Sequence, residues 1–235
     1  MSISIDVADS WLSVDGRVLA FAAHERRFAD SVEHMGGSRE AALTAIGRAR
    51  EDTPPTGRHF PRVVFADGAF EHTVRAAPER MPTAVLWTSP VDPRTQPEIK
   101  GPDLVELGGL RHLAAEHGAT EAVIVDDDGH VVEGAYASLA WWRGDALHAP
   151  PADVPRVRSV TWQAVQAIAA SLGVELREEQ ARPDDLAGCE IWVMSALHGI
   201  RGAAAWVGGP EPAAPERAPL WQARLEALRG RDAVR

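Results

Sequence analysis

Short apolar runs separated by turn sequences fill the middle of the chain. Glu121–Val125 and His130–Glu133 flank the turn Asp126-Asp127-Asp128-Gly129, which is typical of a β-hairpin. Runs at Ser138–Trp142 and Ala146–His148 continue this pattern as a meander of strands. An EF-hand needs acidic residues at alternate positions and a distal glutamate, so the three aspartates predict a solvated turn rather than a calcium site.

The first part of the chain places helices and strands in separate runs. Ala22 to Met35 has the pattern of a helix closed by Gly36-Gly37, and Ser38 is a candidate N-cap for a second helix. The expected strands lie at residues 2–7, 17–21, 63–65, 70–74 and 84–87. Helices and strands in separate runs favour an α+β fold.

A proline-rich segment divides the chain. Residues 89–97 contain three prolines and no apolar periodicity, which favours a linker. We therefore predict two domains, a small N-terminal one over residues 1–97 and a C-terminal one over residues 98–235. In the second domain we expect helices at residues 103–117, after Ser159 up to Gly173, and from Pro219, with strands at residues 174–176 and 190–194.

The composition limits the partners of the protein. A formal net charge of −10 over 235 residues argues against binding to nucleic acid or to an anionic membrane surface. No segment has the length of a membrane span, and the N-terminus lacks the features of a signal peptide. A single cysteine, Cys189, suits a reducing compartment. We therefore expect a soluble, cytoplasmic protein.

Lys100 is the only lysine among the 24 basic residues of the chain. A primary amine can lose its proton and attack a carbonyl, whereas a guanidinium effectively cannot. Lys100 lies between the proline-rich segment and the helix expected from Asp103, and such junctions often carry functional residues. The alternative is a lysine retained by chance on a surface loop.

Common catalytic motifs are absent from the sequence. It contains no glycine-rich phosphate loop ending in Lys-Ser/Thr, no Gly-x-Gly-x-x-Gly after a strand and no Gly-x-Ser-x-Gly. The nine histidines show no paired zinc spacing, so no metal is expected.

Four short motifs follow one another along the chain. The first is His24-x-x-Arg27-Phe28-x-x-Ser31, and the second is Ile99-Lys100 before a helix, followed by Gly118-Ala119-Thr120-Glu121-Ala122. The third is Asp128-Gly129-His130-Val131-Val132-Glu133-Gly134, and the fourth is Ser159-Val160-Thr161. In this order they resemble the motifs of the class IV aminotransferases. This family includes branched-chain and D-amino-acid aminotransferases and aminodeoxychorismate lyases. The resemblance runs from about Arg17 to Trp206.

The resemblance implies a two-domain fold, with a small N-terminal α/β domain and a larger, barrel-like C-terminal domain. It also implies that pyridoxal 5'-phosphate binds between them and that the protein is a homodimer. The implied activity is an aminotransferase that exchanges an amino group between an amino acid and a 2-oxo acid. One alternative is an aminodeoxychorismate lyase, which forms 4-aminobenzoate and pyruvate from an amino-chorismate substrate. Another is a non-catalytic relative without cofactor.

The resemblance also implies roles for individual residues. Lys100 would form the internal aldimine with the cofactor and then move a proton at the substrate Cα. Glu133 would face the pyridine nitrogen and keep it protonated. Arg27 and the backbone N–H groups of Val160 and Thr161 would bind the phosphate at a helix N-terminus.

The chain departs from the family pattern at two places. Met194-Ser195-Ala196 stands where many members have Thr-Asn-Ser or Gly-Thr-Ala. Ser195 is therefore the candidate hydroxyl for the phosphate, and Ala196 points to the lyase branch. Ala137-Ser138-Leu139-Ala140 replaces Ser-Asn-Leu-Phe, which is expected to weaken the support of Glu133. Ser138 and Ala196 together motivate the non-catalytic alternative.

Three further residues, Trp11, His198 and Arg201, are candidates for the substrate pocket. Arg201 is suited to pair with a substrate carboxylate. Packing or exposure to solvent is the alternative for each of the three. Arg27 has a similar alternative as a solvated arginine, since Arg26 lies one helical step away.

Overall fold

The computed structural model describes residues 5–230, which form an eight-stranded sheet, two three-stranded sheets and several helices. The first elements are β1 (Val7–Ser10), β2 (Ser13–Val14), β3 (Arg17–Val18), α1 (Phe21–His34), α2 (Arg39–Glu51), β4 (Arg58–His59), β5 (Arg62–Ala66), β6 (Ala69–Thr73) and β7 (Thr83–Thr88). They are followed by α3 (Leu104–Glu116), β8 (Glu121–Val125), β9 (Val131–Gly134), β10 (Ser138–Arg143), β11 (Ala146–Ala149), α4 (Val160–Leu172), β12 (Leu176–Glu178), a 3-10 turn (Pro183–Leu186), β13 (Ile191–Ser195), β14 (Gly199–Val207) and α5 (Ala218–Ala227). The predicted α+β character is confirmed. No helix in this part of the chain is long and apolar enough to cross a membrane.

The elements from β1 to β6, with α1 and α2, form an N-terminal layer. Its main sheet has the order β1-β5-β6, and a second small sheet has the order β3-β2-β4. Trp11, Phe28 and Ile46 are fully buried where the helices pack on the main sheet. Helix α2 begins after Ser38, whose Oγ accepts a hydrogen bond from the Ala41 N–H at 3.2 Å.

The eight-stranded sheet has the order β12-β11-β10-β13-β14-β7-β8-β9 and curls into a half-barrel. Because side chains alternate along a strand, each face has its own apolar cluster. One face packs on α4 and α5 through Trp142, Trp192 and Trp221, whose ring centroids lie between 5.2 and 5.6 Å apart. The other face carries Trp141 and Val193. The sheet is therefore fixed from both sides.

Strand β7 joins the first part of the chain to this large sheet. It pairs in parallel with β14 on one side and with β8 on the other. The change from the small sheets to the half-barrel therefore falls between β6 and β7, before Thr83. The sequence places the domain boundary later, between residues 97 and 98. The division into two domains stays a prediction, but its boundary at the linker does not coincide with the division between sheets.

Strand β14 is missing from the sequence prediction, although it is nine residues long and central in the sheet. Its sequence is rich in glycine and alanine, which are poor strand formers. A Cβ at Gly202 would lie 2.1 Å from Pro215 Cβ, so the glycine allows a neighbouring loop to cross the strand. Packing against distant segments therefore explains why this strand contains glycine and alanine, and this composition is the reason that the sequence does not predict it.

The first expected strand is shifted along the chain, and the second is shortened. Residues 2–4 of the strand expected at 2–7 lie outside the described residues, and β1 begins at Val7. The strand expected at 17–21 is limited to β3, because Ala20 has a positive φ of 48° and α1 begins at Phe21. As a result Asp9 lies in a strand, where its side chain has a fixed direction.

Gly101 lies directly against strand β1. A Cβ at this position would lie 2.6 Å from the Asp6 carbonyl oxygen and 2.7 Å from Val7 Cα. Both are backbone atoms, so a side-chain rotation cannot relieve the contact. The absence of a side chain at Gly101 therefore lets the segment around Lys100 approach the N-terminal layer.

We predict that Gly101→Ala destabilises the protein by about 1–3 kcal/mol, the usual cost of forcing extra atoms into a packed region. Gly109→Ala in α3 is the matched control, since a Cβ there meets no described atom within 4 Å. That change is expected to stabilise the helix by up to about 1 kcal/mol. Urea denaturation of both variants measures the difference, and equal stabilities would contradict the close approach.

Candidate active site

The linker before Lys100 is held by the buried carboxylate of Asp103. Its oxygens accept hydrogen bonds from Thr95 N at 2.9 Å, from Thr95 Oγ1 at 2.7 Å and from Gln96 N at 3.0 Å. The Lys100 carbonyl accepts a further hydrogen bond from the Ala8 N–H at 2.6 Å. These bonds fix the Lys100 backbone between strand β1 and the start of α3.

The side chain of Lys100 lies partly buried among charged groups. Burial lowers the pKa of its amine to about 8, and the positive charges of Arg27 and Arg62 act in the same direction. The carboxylates of Asp9 and Glu133 oppose this change. An amine with a pKa near 8 has an appreciable neutral fraction at neutral pH, which nucleophilic attack and proton transfer require.

Asp9 is a fully buried carboxylate at the centre of a charged cluster. Arg27 donates from Nε to Oδ2 at 2.9 Å and from Nη2 to Oδ1 at 2.8 Å. His24 Nδ1 lies 2.8 Å from Oδ1. His24 and Arg27 are three residues apart on α1 and therefore share a face of the helix. Burial raises the pKa of Asp9, but Arg27 and His24 outweigh this effect and hold the pKa at about 2, so Asp9 is ionised.

The N-terminus of helix α4 lies beside Arg27. Arg27 Nη1 donates to the Arg158 carbonyl at 2.9 Å, one residue before the N-cap Ser159. Val160 and Thr161 are the first two residues of the helix, and N–H groups at these positions have no partner within a helix. Together with the helix dipole they make this end suitable for an anion.

The turn between β13 and β14 lies at the same helix end. Ser138 pairs with Met194 in the sheet, and its Oγ donates to Ser159 Oγ at 2.8 Å. Ser195 and Ala196 follow Met194 and are partly exposed. The structure therefore brings Ser195 and Ala196 close to the start of α4, and Ser138 supports the N-cap of that helix.

Glu133 lies on β9 with only 7% of its surface exposed. Arg94 of the linker donates from Nη1 to Glu133 Oε1 at 2.7 Å. Burial raises the pKa of Glu133 to about 7, although the positive charges of Arg94 and Arg156 act to lower it. The carboxyl is close enough to Lys100 for its charge to affect the amine. Both protonation states of Glu133 are therefore accessible near neutral pH.

The three candidates for the substrate pocket lie in different environments. Trp11 is fully buried and packs against Phe21, with ring centroids 5.1 Å apart. Arg201 is buried and donates from Nη2 to Glu121 Oε2 at 3.1 Å, while its Nε has no partner among the described residues. His198 is partly exposed, and burial together with nearby arginines lowers its pKa to about 4. Their roles toward a substrate stay predictions.

Sequence reasoning missed two charged residues of this site. Asp9 lies just beyond the strand expected at residues 2–7, although a charged residue within the short apolar segment at β1 is a detectable signal. Arg94 has no comparable signal, because the linker around it shows no periodicity. Between the two arginines on α1, Arg27 faces the cluster and Arg26 is exposed.

The fold and the site together define an α+β protein that presents one amine near the N-terminus of helix α4 and a buried carboxylate. The profile of the family described as amino-transferase class IV matches residues 6–206. The chain therefore belongs to the class IV aminotransferases, and the resemblance found in the sequence is confirmed.

Solved structures show the same fold at low sequence identity. The apo form of a hypothetical aminotransferase from Mycobacterium tuberculosis is 22% identical with a TM-score of 0.79, covering 96% of this chain and 89% of that chain. The branched-chain amino acid aminotransferase of Escherichia coli is 18% identical with a TM-score of 0.76, covering 98% and 88%. A putative 4-amino-4-deoxychorismate lyase from Legionella pneumophila is 12% identical with a TM-score of 0.78, covering 97% and 96%.

The Mycobacterium tuberculosis protein has also been solved in a PLP-bound form and in a form with alpha-ketoglutarate and PMP. No curated protein sequence matches this chain. The predicted α+β fold, with a small N-terminal α/β part and a larger barrel-like C-terminal part, agrees with the fold of these structures.

Proposed function

We propose that the protein is a pyridoxal-phosphate-dependent aminotransferase that exchanges an amino group between an amino acid and a 2-oxo acid. The observation that carries the proposal is the setting of Lys100, a sole lysine that lies partly buried between the Asp9–Arg27 pair and Glu133. Membership of the class IV family supports it. The PLP-bound form of the similar mycobacterial protein supports the choice of cofactor.

The residues around Lys100 fit the chemical groups of pyridoxal 5'-phosphate. The helix end at Val160 and Thr161 offers N–H donors to the phosphate. Arg27 uses three of its five N–H donors on Asp9 and on the Arg158 carbonyl, and its Nη2 also lies 3.5 Å from His24 Nδ1, so at least one N–H remains for a phosphate oxygen. Ser195 is the proposed hydroxyl at the same end.

Bound pyridoxal 5'-phosphate supplies an electron sink that stabilises negative charge at the substrate Cα. Lys100 holds the cofactor through its amine and moves the proton at the substrate Cα. Its pKa of about 8 suits this exchange near neutral pH. Glu133 holds the proton of the ring nitrogen while Arg27 and the start of α4 hold the phosphate.

An aminodeoxychorismate lyase is the second candidate. Two observations favour it: the turn at the start of α4 carries Ala196, and the chain has the fold of a putative 4-amino-4-deoxychorismate lyase from Legionella pneumophila. The same residues would bind the cofactor, and the difference lies in the substrate. A lyase releases pyruvate and needs no 2-oxo acid as acceptor.

The proposed assembly is a homodimer in the cytoplasm. Val105 at the start of α3 is 67% exposed, and the partly exposed Tyr136 donates its hydroxyl to the Leu104 carbonyl at 3.1 Å. These two exposed side chains lie near the start of α3 and are available to a second copy. Chromatography with light scattering tests the assembly.

The spectrum of the purified protein with pyridoxal phosphate tests the function. We expect a visible absorption band that bleaches when an amino acid is added and returns with a 2-oxo acid. A lyase would instead form 4-aminobenzoate and pyruvate steadily without any 2-oxo acid. A protein that gains no band would contradict both activities and favour a non-catalytic member of the family.

A further inference from the structure

Arg94 is a buried arginine in the linker, with a side chain only 6% exposed. Its Nη1 donates to Glu133 Oε1 at 2.7 Å and to the Pro155 carbonyl at 3.2 Å. Its Nε and Nη2 donate to the carboxylate of Asp92 at 2.9 and 2.7 Å. One side chain thus links the segment that leads to Lys100, strand β9 and the connection before α4.

We propose that Arg94 is a positioning residue that favours the ionised form of Glu133 and holds this carboxyl in one orientation for the ring nitrogen of the cofactor. The inference rests on the proposed function, in which Glu133 holds the proton of that nitrogen. Only the ionised carboxyl can act as the acceptor for a protonated ring. Arg94 would therefore act on the reaction through Glu133, without touching the substrate.

Burial works against the charge on Glu133, so a cation is needed beside it. The pKa of Glu133 is raised to about 7 by burial, with Asp92 acting in the same direction and Arg94 and Arg156 opposing. The amine of Lys100 is close enough to interact electrostatically with this carboxyl. Arg94 is in direct contact at 2.7 Å. A buried carboxyl that loses such a partner takes up a proton rather than remaining charged.

Asp92 explains why an arginine suits this position. Its two oxygens bind Nε and Nη2 of Arg94, which leaves Nη1 directed at Glu133 and the Pro155 carbonyl. A planar guanidinium can make these contacts on two sides at once, whereas a lysine supplies only the charge. We therefore expect Arg94→Lys to preserve the ionisation of Glu133 better than its orientation.

The first test follows the Glu133 carboxyl in cofactor-free protein. Carbon-13 NMR of protein labelled at the glutamate carboxyl gives its titration midpoint, and Glu133→Gln assigns the signal. In Arg94→Met the midpoint is expected to rise from about 7 by roughly one pH unit or more. In Arg94→Lys it is expected to stay near the wild-type value.

Arg143→Met is the matched control for this measurement. Arg143 also binds a carboxylate, that of Glu179, and a carbonyl, that of Asp185, and it makes no hydrogen bond to Glu133 among the described residues. Its removal is expected to leave the Glu133 midpoint unchanged. Circular dichroism checks that every variant is folded.

The second test measures the dissociation constant of pyridoxal phosphate between pH 6 and pH 9. At pH 7 we expect Arg94→Met to bind roughly fivefold more weakly than the wild type, because Glu133 is mostly protonated in the variant. The difference is expected to shrink toward pH 9, where Glu133 is ionised in both proteins. A loss of packing alone would not depend on pH in this way.

An unchanged Glu133 midpoint in Arg94→Met would overturn the proposal. So would a loss of cofactor affinity that is equal at every pH and is not reduced in Arg94→Lys. If the wild type itself binds no pyridoxal phosphate, the proposed function fails. The NMR measurement on cofactor-free protein then still decides whether Arg94 controls the charge of Glu133.

Discussion

Lys100→Ala is expected to remove the visible band that the protein gains with pyridoxal phosphate and to lower turnover by roughly a thousandfold or more. The substitution removes both the amine that holds the cofactor and the base at the substrate Cα. No other lysine in the chain can replace it. Absorption spectra and turnover measured on the same preparations check both effects.

Lys100→Arg is the control that separates charge from reactivity. It keeps a positive charge beside Asp9 and Glu133, but a guanidinium does not attack a carbonyl at neutral pH. We expect it to be as inactive as Lys100→Ala while remaining folded. If either variant kept the band, Lys100 would not be the residue that holds the cofactor.

The sequence correctly predicts the helix ends whose capping or turn residues lie within a few residues of each other. Ser38 caps α2 as predicted, through the Ala41 N–H. Gly173 ends α4 with a positive φ of 68°, and α4 begins after Ser159. Capping bonds and turn conformations depend on neighbouring residues, so a local pattern is sufficient to predict them.

The position of β7 in the fold does not follow from such signals. Its sequence predicts a strand correctly, and the proline-rich segment after it suggests the end of a domain. Only the parallel pairing with β14, which lies much later in the chain, places it in the middle of the half-barrel. No local residue pattern specifies a parallel partner, and β14 itself is hidden by its glycines and alanines.

The candidate site likewise contains residues that the sequence predicts and residues that only the fold brings together. The order of the motifs along the sequence is enough to predict Lys100 and Glu133 as site residues, and the structure places their charges close together. The motifs do not predict Asp9 and Arg94 as site residues, because the role of each depends on the residue that it contacts in the fold. Asp9 accepts hydrogen bonds from Arg27, and Arg94 donates a hydrogen bond to Glu133. Both contacts join segments that are far apart in the chain.

Asp9→Ala is expected to lower the free energy of unfolding by about 3–5 kcal/mol, the usual cost of breaking a buried ion pair from one side. It leaves the Arg27 guanidinium, whose side chain is only 12% exposed, without its carboxylate. His24 loses its hydrogen bond as well. Urea denaturation at pH 7 measures the change.

Asp145→Ala is the matched control for this substitution. Its carboxylate also pairs with an arginine, Arg217 at 3.3 Å, but it lies fully exposed at the surface. Exposed ion pairs contribute little to stability, so we expect no measurable change. A similar loss in both variants would show that the Asp9 cluster has no special role in the fold.

Asp9→Asn separates the charge of Asp9 from its shape. Folding lowers the pKa of Asp9 from 3.8 to about 2, so the ionised pair stabilises the wild type above pH 4 and this contribution is lost as the pH falls toward 2. The free energy of unfolding of the wild type is therefore expected to exceed that of Asp9→Asn by about 2 kcal/mol near neutral pH. This difference is expected to disappear near pH 2. A difference that stayed constant over this range would mean that Asp9 holds Arg27 and His24 by hydrogen-bond geometry alone. The charge of Asp9 would then matter for the amine of Lys100 and the phosphate, but not for the stability of the fold.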